Sequence, residues 1–258
     1  MKLWFVSMEC AGIAEAGGVK NVTFSLCNEF SQLNHEVTLF IPVFKCNTWE
    51  LVSNLKEKLY SCEISLCGRT EKVEYSTALC TSGNFKIVFI NHPSFSEKEA
   101  VYTYTANEQK QNPEHLRGQG HKDGLFMDIL FQKSVSLYLN LTAQNNFPDI
   151  IHCQDASTAV LPAFIKENPL GKNIKSIVTI HNAGPFYHHE FASIGEAAWY
   201  TGLKTEFLVK AENKGKIEPF LIAAEAGAEL TTVSEIYAEE LTDPANTKLT
   251  DGLSPIFN

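Results

Sequence analysis

The stretch GIAEAGGVKNV (residues 12–22) decides how the chain is read. Before it lies the short apolar run KLWFVS (residues 2–7), and after it Val19, Val22, Leu26, Phe30 and Leu33 recur at spacings of three and four. The first pattern reads as a buried strand and the second as one face of a helix that begins just past Gly17-Gly18. A second apolar run, EVTLFIP (residues 36–42), closes the unit. Strand, glycine turn, helix and strand make a βαβ unit, so the sheet is expected to be parallel with a right-handed crossover.

The same alternation continues. DIIHCQD (149–155), SIVTIHN (176–182) and ELTTVS (229–234) read as strands, and STAVLPAFIKE (157–167) and IEPFLIAAEAG (217–227) as helices. Pro162 is expected to kink the first of these helices, and Gly227 to end the second. Residues 59–91 alternate more and read as a small hairpin leading to one further core strand. Residues 102–122 are polar with few apolar anchors and are expected to form a mobile loop. A long helix is expected over 123–144. No repeat, low-complexity tract or linker interrupts the pattern, so residues 1–258 read as one doubly wound α/β domain.

Composition limits the function classes. Apolar residues make up 44% of the chain and charged residues 20%, enough for a sizeable core. The net charge of −9 argues against nucleic acid or an anionic membrane as partner. No run of 18 apolar residues occurs, so no spanning helix is expected, and the N-terminal apolar run is too short for a secretion signal. The seven cysteines are odd in number, scattered and without a C-x-x-C pair, which fits a reducing cytoplasm.

In doubly wound sheets ligands sit at the carboxyl ends of the strands. There this chain gathers residues 12–21, then Gln154, Asp155, Ser157 and Thr158, then His181, Asn182 and Gly184. Gly17 and Gly18 would let a ligand approach the backbone, and the N–H groups of the helix start would favour an anion; the plain alternative is a tight turn. The dinucleotide and Walker A patterns are both absent. His181 is either a strand-end histidine buried for packing or a ligand contact. Asp155 is either the N-cap of the next helix or a group facing the cleft. Tyr102 and Tyr104 either contact a sugar or anchor their loop. His188, His189 and Glu190 look like a metal trio, but adjacent side chains diverge, and neither a metal nor a cofactor is expected.

In order, the pieces EAGGVKNV, LNHEVTLFIP, PDIIHCQDASTAVLPAFIK, IVTIHNAG, AGAELTTVSEIYAEEL and LSPIFN resemble bacterial glycogen and starch synthases. The similarity runs from residue 1 to 258 and is weakest over 51–117. The resemblance implies retaining transfer of glucose from ADP-glucose to the non-reducing end of an α-1,4-glucan, with the nucleotide sugar as substrate. It implies an N-terminal, acceptor-side Rossmann-like domain, the first half of a two-domain enzyme of GT-B type. It places His181 beside the donor sugar, Gly17 and Gly18 near the donor diphosphate, and Asp155 in the cleft. Ending inside a motif, the chain is expected to be one domain of a longer or split enzyme, with the C-terminal nucleotide-sugar domain as partner.

Three departures from the family pattern stand close to the ligand. Glu15 replaces a lysine, Lys20-Asn21 replaces Gly-Asp, and Ala156 falls where the family has an aromatic residue. A carboxylate about 4 Å from a phosphate costs on the order of 4 kcal/mol at an effective dielectric of 20. Lys20 is expected to swing to the diphosphate and restore the charge; the alternative is that Glu15 turns away, pairing with Lys20 or capping the helix. The departures also motivate a second reading, a weakened relative that binds glucan or nucleotide sugar without turnover. A third is a Rossmann-like module for protein contacts.

Overall fold

A computed structural model describes residues 1–248, 250 and 252–257. Eight strands form the main sheet: β1 (Lys2–Val6), β2 (Glu36–Pro42), β3 (Val52–Leu66), β4 (Arg69–Cys80), β5 (Lys86–Asn91), β6 (Ile150–Gln154), β7 (Lys175–Ile180) and β10 (Glu229–Thr232). A separate two-residue pair joins β8 (Glu212–Asn213) to β9 (Lys216–Ile217). Across the main sheet the order is β10-β7-β6-β1-β2-β5-β4-β3. The six strands from β10 to β5 are parallel, while β4 and β3 extend the β5 edge antiparallel.

Counted along the chain, the parallel strands lie in the order 3-2-1-4-5-6, the Rossmann order with its switch point between β1 and β6. Both neighbours register on β1, Leu3 opposite Val37 on one side and Ile150 on the other. Leu3 to Val6 are all buried, as a strand covered on both faces requires. The first helix, Val19–Gln32, begins one residue after Gly18, as the apolar spacing predicts, and packs Phe24, Leu26, Cys27 and Phe30 on the core.

Several expectations need correction. The hairpin is long, 15 residues in β3 and 12 in β4, and turns on Cys67 and Gly68, both at positive φ (52° and 71°) as a two-residue hairpin requires. The helix expected over 123–144 spans Gly124–Tyr138 and ends at the C-cap Leu139. Pro162 sits in the first turn of the helix Leu161–Glu167, where its missing N–H costs nothing, so it starts the helix instead of kinking it. Gly227 does end its helix as expected: Pro219–Glu225 closes on the C-cap Ala226, and Gly227 follows at φ 85° with its N–H on the Ala224 carbonyl.

The core under the β1–β4 region is aromatic. Trp4 lies 4.6 Å from Phe40, and Tyr138 packs on Phe40 and Tyr75 at 5.2 and 5.3 Å between ring centres. The fully buried Tyr75 hydroxyl donates to the Ser134 carbonyl at 2.9 Å. Tyr75→Phe is expected to cost about 1–2 kcal/mol in urea unfolding, since it deletes that bond and little volume. All seven cysteines are free thiols. Among the described residues, no helix is long and apolar enough to cross a membrane.

Candidate functional site at the sheet switch point

Chain leaving β1, β6 and β7 converges at the carboxyl edge. Asp155 follows β6 with φ 64° and ψ 178°, a region that only glycine enters freely. Its surroundings hold it there. The Asp155 N–H donates to the Thr179 carbonyl at 2.9 Å, and its carboxylate accepts the N–H groups of His181 at 3.0 Å and Asn182 at 3.3 Å. Asp155 stands at the N-cap position of the short 3-10 turn Ala156–Thr158, but its carboxylate makes no capping bond: the side chain is spent across the sheet, on the end of β7. Burial pushes its pKa up to about 6, against the pull of those two N–H groups and of His189, and nearby Glu9 adds to the rise.

His181 is thereby fixed through its own backbone. Its Nε2 lies 2.7 Å from the Gln154 side-chain amide. Gln154 is buried, and its own Nε2 has no partner within the chain. Burial lowers the His181 pKa to about 4, which leaves the imidazole neutral at physiological pH. One strand away, His152 meets the Thr179 hydroxyl at 2.7 Å and is likewise lowered to about 4 by burial, with His181 adding to the effect.

The His188–Glu190 run resolves into three separate contacts. His188 pairs with Glu218 at 3.0 Å, His189 with Asp128 at 2.5 Å and Glu190 with Lys216 at 2.6 Å. Burial alone would lower the His189 pKa; the Asp128 carboxylate more than offsets it and the net shift is upward. The three side chains share no common point where an ion could sit.

The glycine turn is not an empty cradle. The Glu9 carboxylate accepts the N–H groups of Ala16 at 3.0 Å and Gly17 at 2.6 Å, and the Tyr102 hydroxyl at 3.2 Å. Lys20 does not swing to a free position: its Nζ lies 2.7 Å from Glu15, whose other oxygen accepts the Gly12 N–H at 2.8 Å. Those two contacts, the lysine first, hold the Glu15 carboxyl below its usual pKa. In this structure Glu15 keeps the lysine, the pairing that the alternative reading names. Asn21 is exposed on the helix, its N–H donating to the Gly18 carbonyl at 3.2 Å. The Lys20–Glu15 pair is half-exposed, so Lys20→Ala is expected to change stability by less than about 1 kcal/mol in urea unfolding.

Residues 102–122 are not an open loop. Thr105 and Glu108 form a capping box on the helix Ala106–Gln111, and Tyr104 exchanges backbone bonds with Gln119 and Gly118. Tyr104 is buried, stacks on His115 at 4.1 Å and accepts the Lys122 N–H, so it anchors the segment and offers no face to a sugar. Tyr102 is half-buried, with its hydroxyl committed to Glu9. Composition concealed this, because the order comes from polar bonds and not from apolar periodicity.

Sequence reading passed over Glu9 and Asp128 as site residues, and gathered Gln154 at the sheet edge without giving it a partner. Each carried a signal: Glu9 is an acid three residues after the first strand and eight before Gly17, Gln154 is the polar last residue of an apolar strand, and Asp128 is a lone carboxylate within an apolar helix. All three are buried.

Comparison with known proteins agrees with this frame. A family model described as the starch synthase catalytic domain matches residues 2–255. Glycogen synthase 2 of Geobacter sulfurreducens is 26% identical over 252 residues, covering 95% of this chain and 47% of that protein. A glycogen synthase of Thermodesulfovibrio yellowstonii is 27% identical over 265 residues, covering 95% and 49%. The chain spans about half the length of these relatives. In fold it is similar to the catalytic domain of starch synthase IV from Arabidopsis thaliana bound to ADP and acarbose, with a TM-score of 0.77 and 22% identity, over 100% of this chain and 49% of that one.

Proposed function

The chain belongs to the starch synthase catalytic domain family, and from that premise we propose that it supplies the acceptor-side half of a retaining glucosyltransferase. The reaction moves glucose from ADP-glucose to the non-reducing end of an α-1,4-glucan in the cytoplasm. The observation that carries the proposal is the pairing at the switch point, a neutral His181 held in place by the half-buried carboxylate of Asp155. A neutral imidazole suits a sugar hydroxyl, which asks for hydrogen bonds and no charge. Asp155 acts here as a positioning residue, since its resolved hydrogen bonds go to the backbone that carries His181.

The transfer needs a stabilising positive charge on the leaving diphosphate and closure around the donor. Lys20 is held by Glu15, so the proposed second Rossmann-like domain brings that charge together with most nucleotide contacts. The nucleotide sugar is a substrate, and no metal or cofactor takes part. The Lys20–Glu15 pair also favours a second reading, a relative that binds glucan or nucleotide sugar without turnover.

Two assays separate the readings. The chain alone, given ADP-glucose and glycogen, is expected to release no ADP above background; sustained release with glucan growth overturns the half-site proposal. Joined to a family nucleotide-sugar domain, the chain is expected to transfer glucose. Failure there, with both domains folded, supports the binding-only relative.

A further inference from the structure

His189 takes φ 52°, in the left-handed region that favours glycine, and a side chain stays there only where its surroundings hold it. Its own ring is part of that hold, with Nδ1 2.5 Å from the Asp128 Oδ2. Asp128 is buried within the helix Gly124–Tyr138, and no lysine or arginine among the described residues comes within salt-bridge distance of it. The neighbours of His189 in the chain are spent elsewhere. His188 is buried with both ring nitrogens in use, on Glu218 at 3.0 Å and on the Ala183 carbonyl at 2.8 Å, and Glu190 pairs with Lys216. His189 is 32% exposed, and its Nε2 has no hydrogen-bond partner among the described residues and is open to solvent.

The Asp128 carboxylate can only accept, so the His189 Nδ1 carries a hydrogen whether the ring is charged or neutral. A charged ring then donates through Nε2 as well, and a neutral one presents a lone pair there. Burial works against the charge, but Asp128, Asp155 and Glu190 together more than offset it, and the His189 pKa is raised. Glu9 and Tyr102, which act on Asp155 and on each other, complete the titratable groups at this end of the sheet. The influence is mutual: the His189 charge pulls the Asp155 carboxyl down. His181 and His189 therefore stand around one carboxylate, the first ring neutral and the second charged. A sugar hydroxyl both donates and accepts, and the loop that carries His189 also leaves Phe186 (99% exposed) and Tyr187 open to solvent, aromatic faces of the kind that suit sugar rings.

We propose that His189 is a further sugar-contacting residue of this half-site, held by Asp128 so that its Nε2 donates to a hydroxyl of the bound glucan beside His181. The inference rests on the acceptor-side reading above and adds two residues that lie outside every motif quoted for the family resemblance.

Maltotriose binding by the 258-residue chain, followed from about pH 6 to 9 through the histidine side-chain ¹⁵N signals, tests this. Maltotriose is expected to shift His189 together with His181. Its affinity is expected to fall about fivefold as pH rises through the His189 titration, the usual gap between a charged and a neutral hydrogen bond. Asp128→Asn, which removes the charge that opposes burial, is expected to move the midpoint of that fall down by about one pH unit or more. His189→Gln keeps a donor that cannot titrate; it is expected to bind about fivefold more weakly than wild type at about pH 6 and to lose the fall, and it serves if Asp128→Asn fails to fold. Asp155, which titrates near pH 6, remains in all three proteins, so only the pH dependence that His189→Gln removes belongs to His189. A pair that only braced the loop would change the unfolding midpoint and leave the pH dependence of binding alone. The proposal is overturned if maltotriose shifts His181 and not His189, if the midpoint ignores Asp128→Asn, or if the fall persists in His189→Gln, and each of these leaves the acceptor-side reading intact. No shift at either histidine would overturn both.

Discussion

His181→Ala is expected to lower glucosyl transfer by at least about a hundredfold in a two-domain enzyme that contains this chain, the scale seen when one preorganised hydrogen-bonding group is removed from a reacting centre. The site gives His181 one polar task. Its backbone is held by Asp155 and its Nε2 is spent on Gln154, which leaves Nδ1 without a hydrogen-bond partner among the described residues. With a pKa of about 4 in the folded chain, it stays neutral across the pH range of most assays. Transfer is therefore expected to show no loss between about pH 5 and 7 from this group, whose ordinary pKa is ~6.5. The folded pKa lies below the unfolded one, so His181 favours the folded state fully above about pH 6.5 and withdraws that support as pH falls towards 4. Wild type should thus lose up to about 3 kcal/mol more than His181→Ala across that interval in urea unfolding. Rate profiles that fall with a midpoint near pH 6.5, absent from His181→Ala, would show a charged imidazole and contradict the assignment.

Asp155→Asn is expected to be more stable than Asp155→Ala by roughly 2–4 kcal/mol at every pH, because the asparagine oxygen can still accept the His181 and Asn182 N–H groups and alanine leaves both unpaired. Both variants keep the strained backbone, so the difference isolates the two bonds. Wild type is expected to lose ground to both as pH rises. Its folded pKa of about 6 lies above the unfolded value of ~3.9. The folded state therefore binds the proton more tightly, a contribution complete below about pH 4 and lost through about pH 6, amounting to about 3 kcal/mol. Urea unfolding of the three proteins at about pH 4, 5, 6 and 7 checks this, and a wild-type curve parallel to that of Asp155→Asn would contradict it.

The frame of the fold was legible because burial dictates it. Runs such as KLWFV and EVTLFIP are apolar without alternation, which only strands covered on both faces need, and the glycine pair stands between a strand and an amphipathic face. The edge was harder. Leu59, Tyr60 and their neighbours in β3 are exposed, so no burial pattern announces a 15-residue strand. The candidate site was legible as a place, the carboxyl ends of β1, β6 and β7, but not as a set of partners. Asp155 reads as a cap from its local sequence, and only the neighbouring strand end, 26 residues away, shows what it holds. Likewise the Lys20–Glu15 pair was one of two readings of a single motif, and only the folded turn shows it formed. Tyr102 looks like a free aromatic until Glu9, 93 residues earlier, takes its hydroxyl.

Where the sugar sits is the central matter, and titrating the 258-residue chain with maltotriose while following its histidine side-chain ¹⁵N signals measures it most directly. Eight histidines report on the whole molecule. The expected result is a weak, saturable shift at His181 in the unlabelled-sugar titration, with His35 and His115 unmoved. Shifts at His35 with none at His181 would instead place the sugar in the groove of about 940 Å³ lined by Trp4, His35, Tyr60 and Tyr138, far from the switch point, and contradict the account.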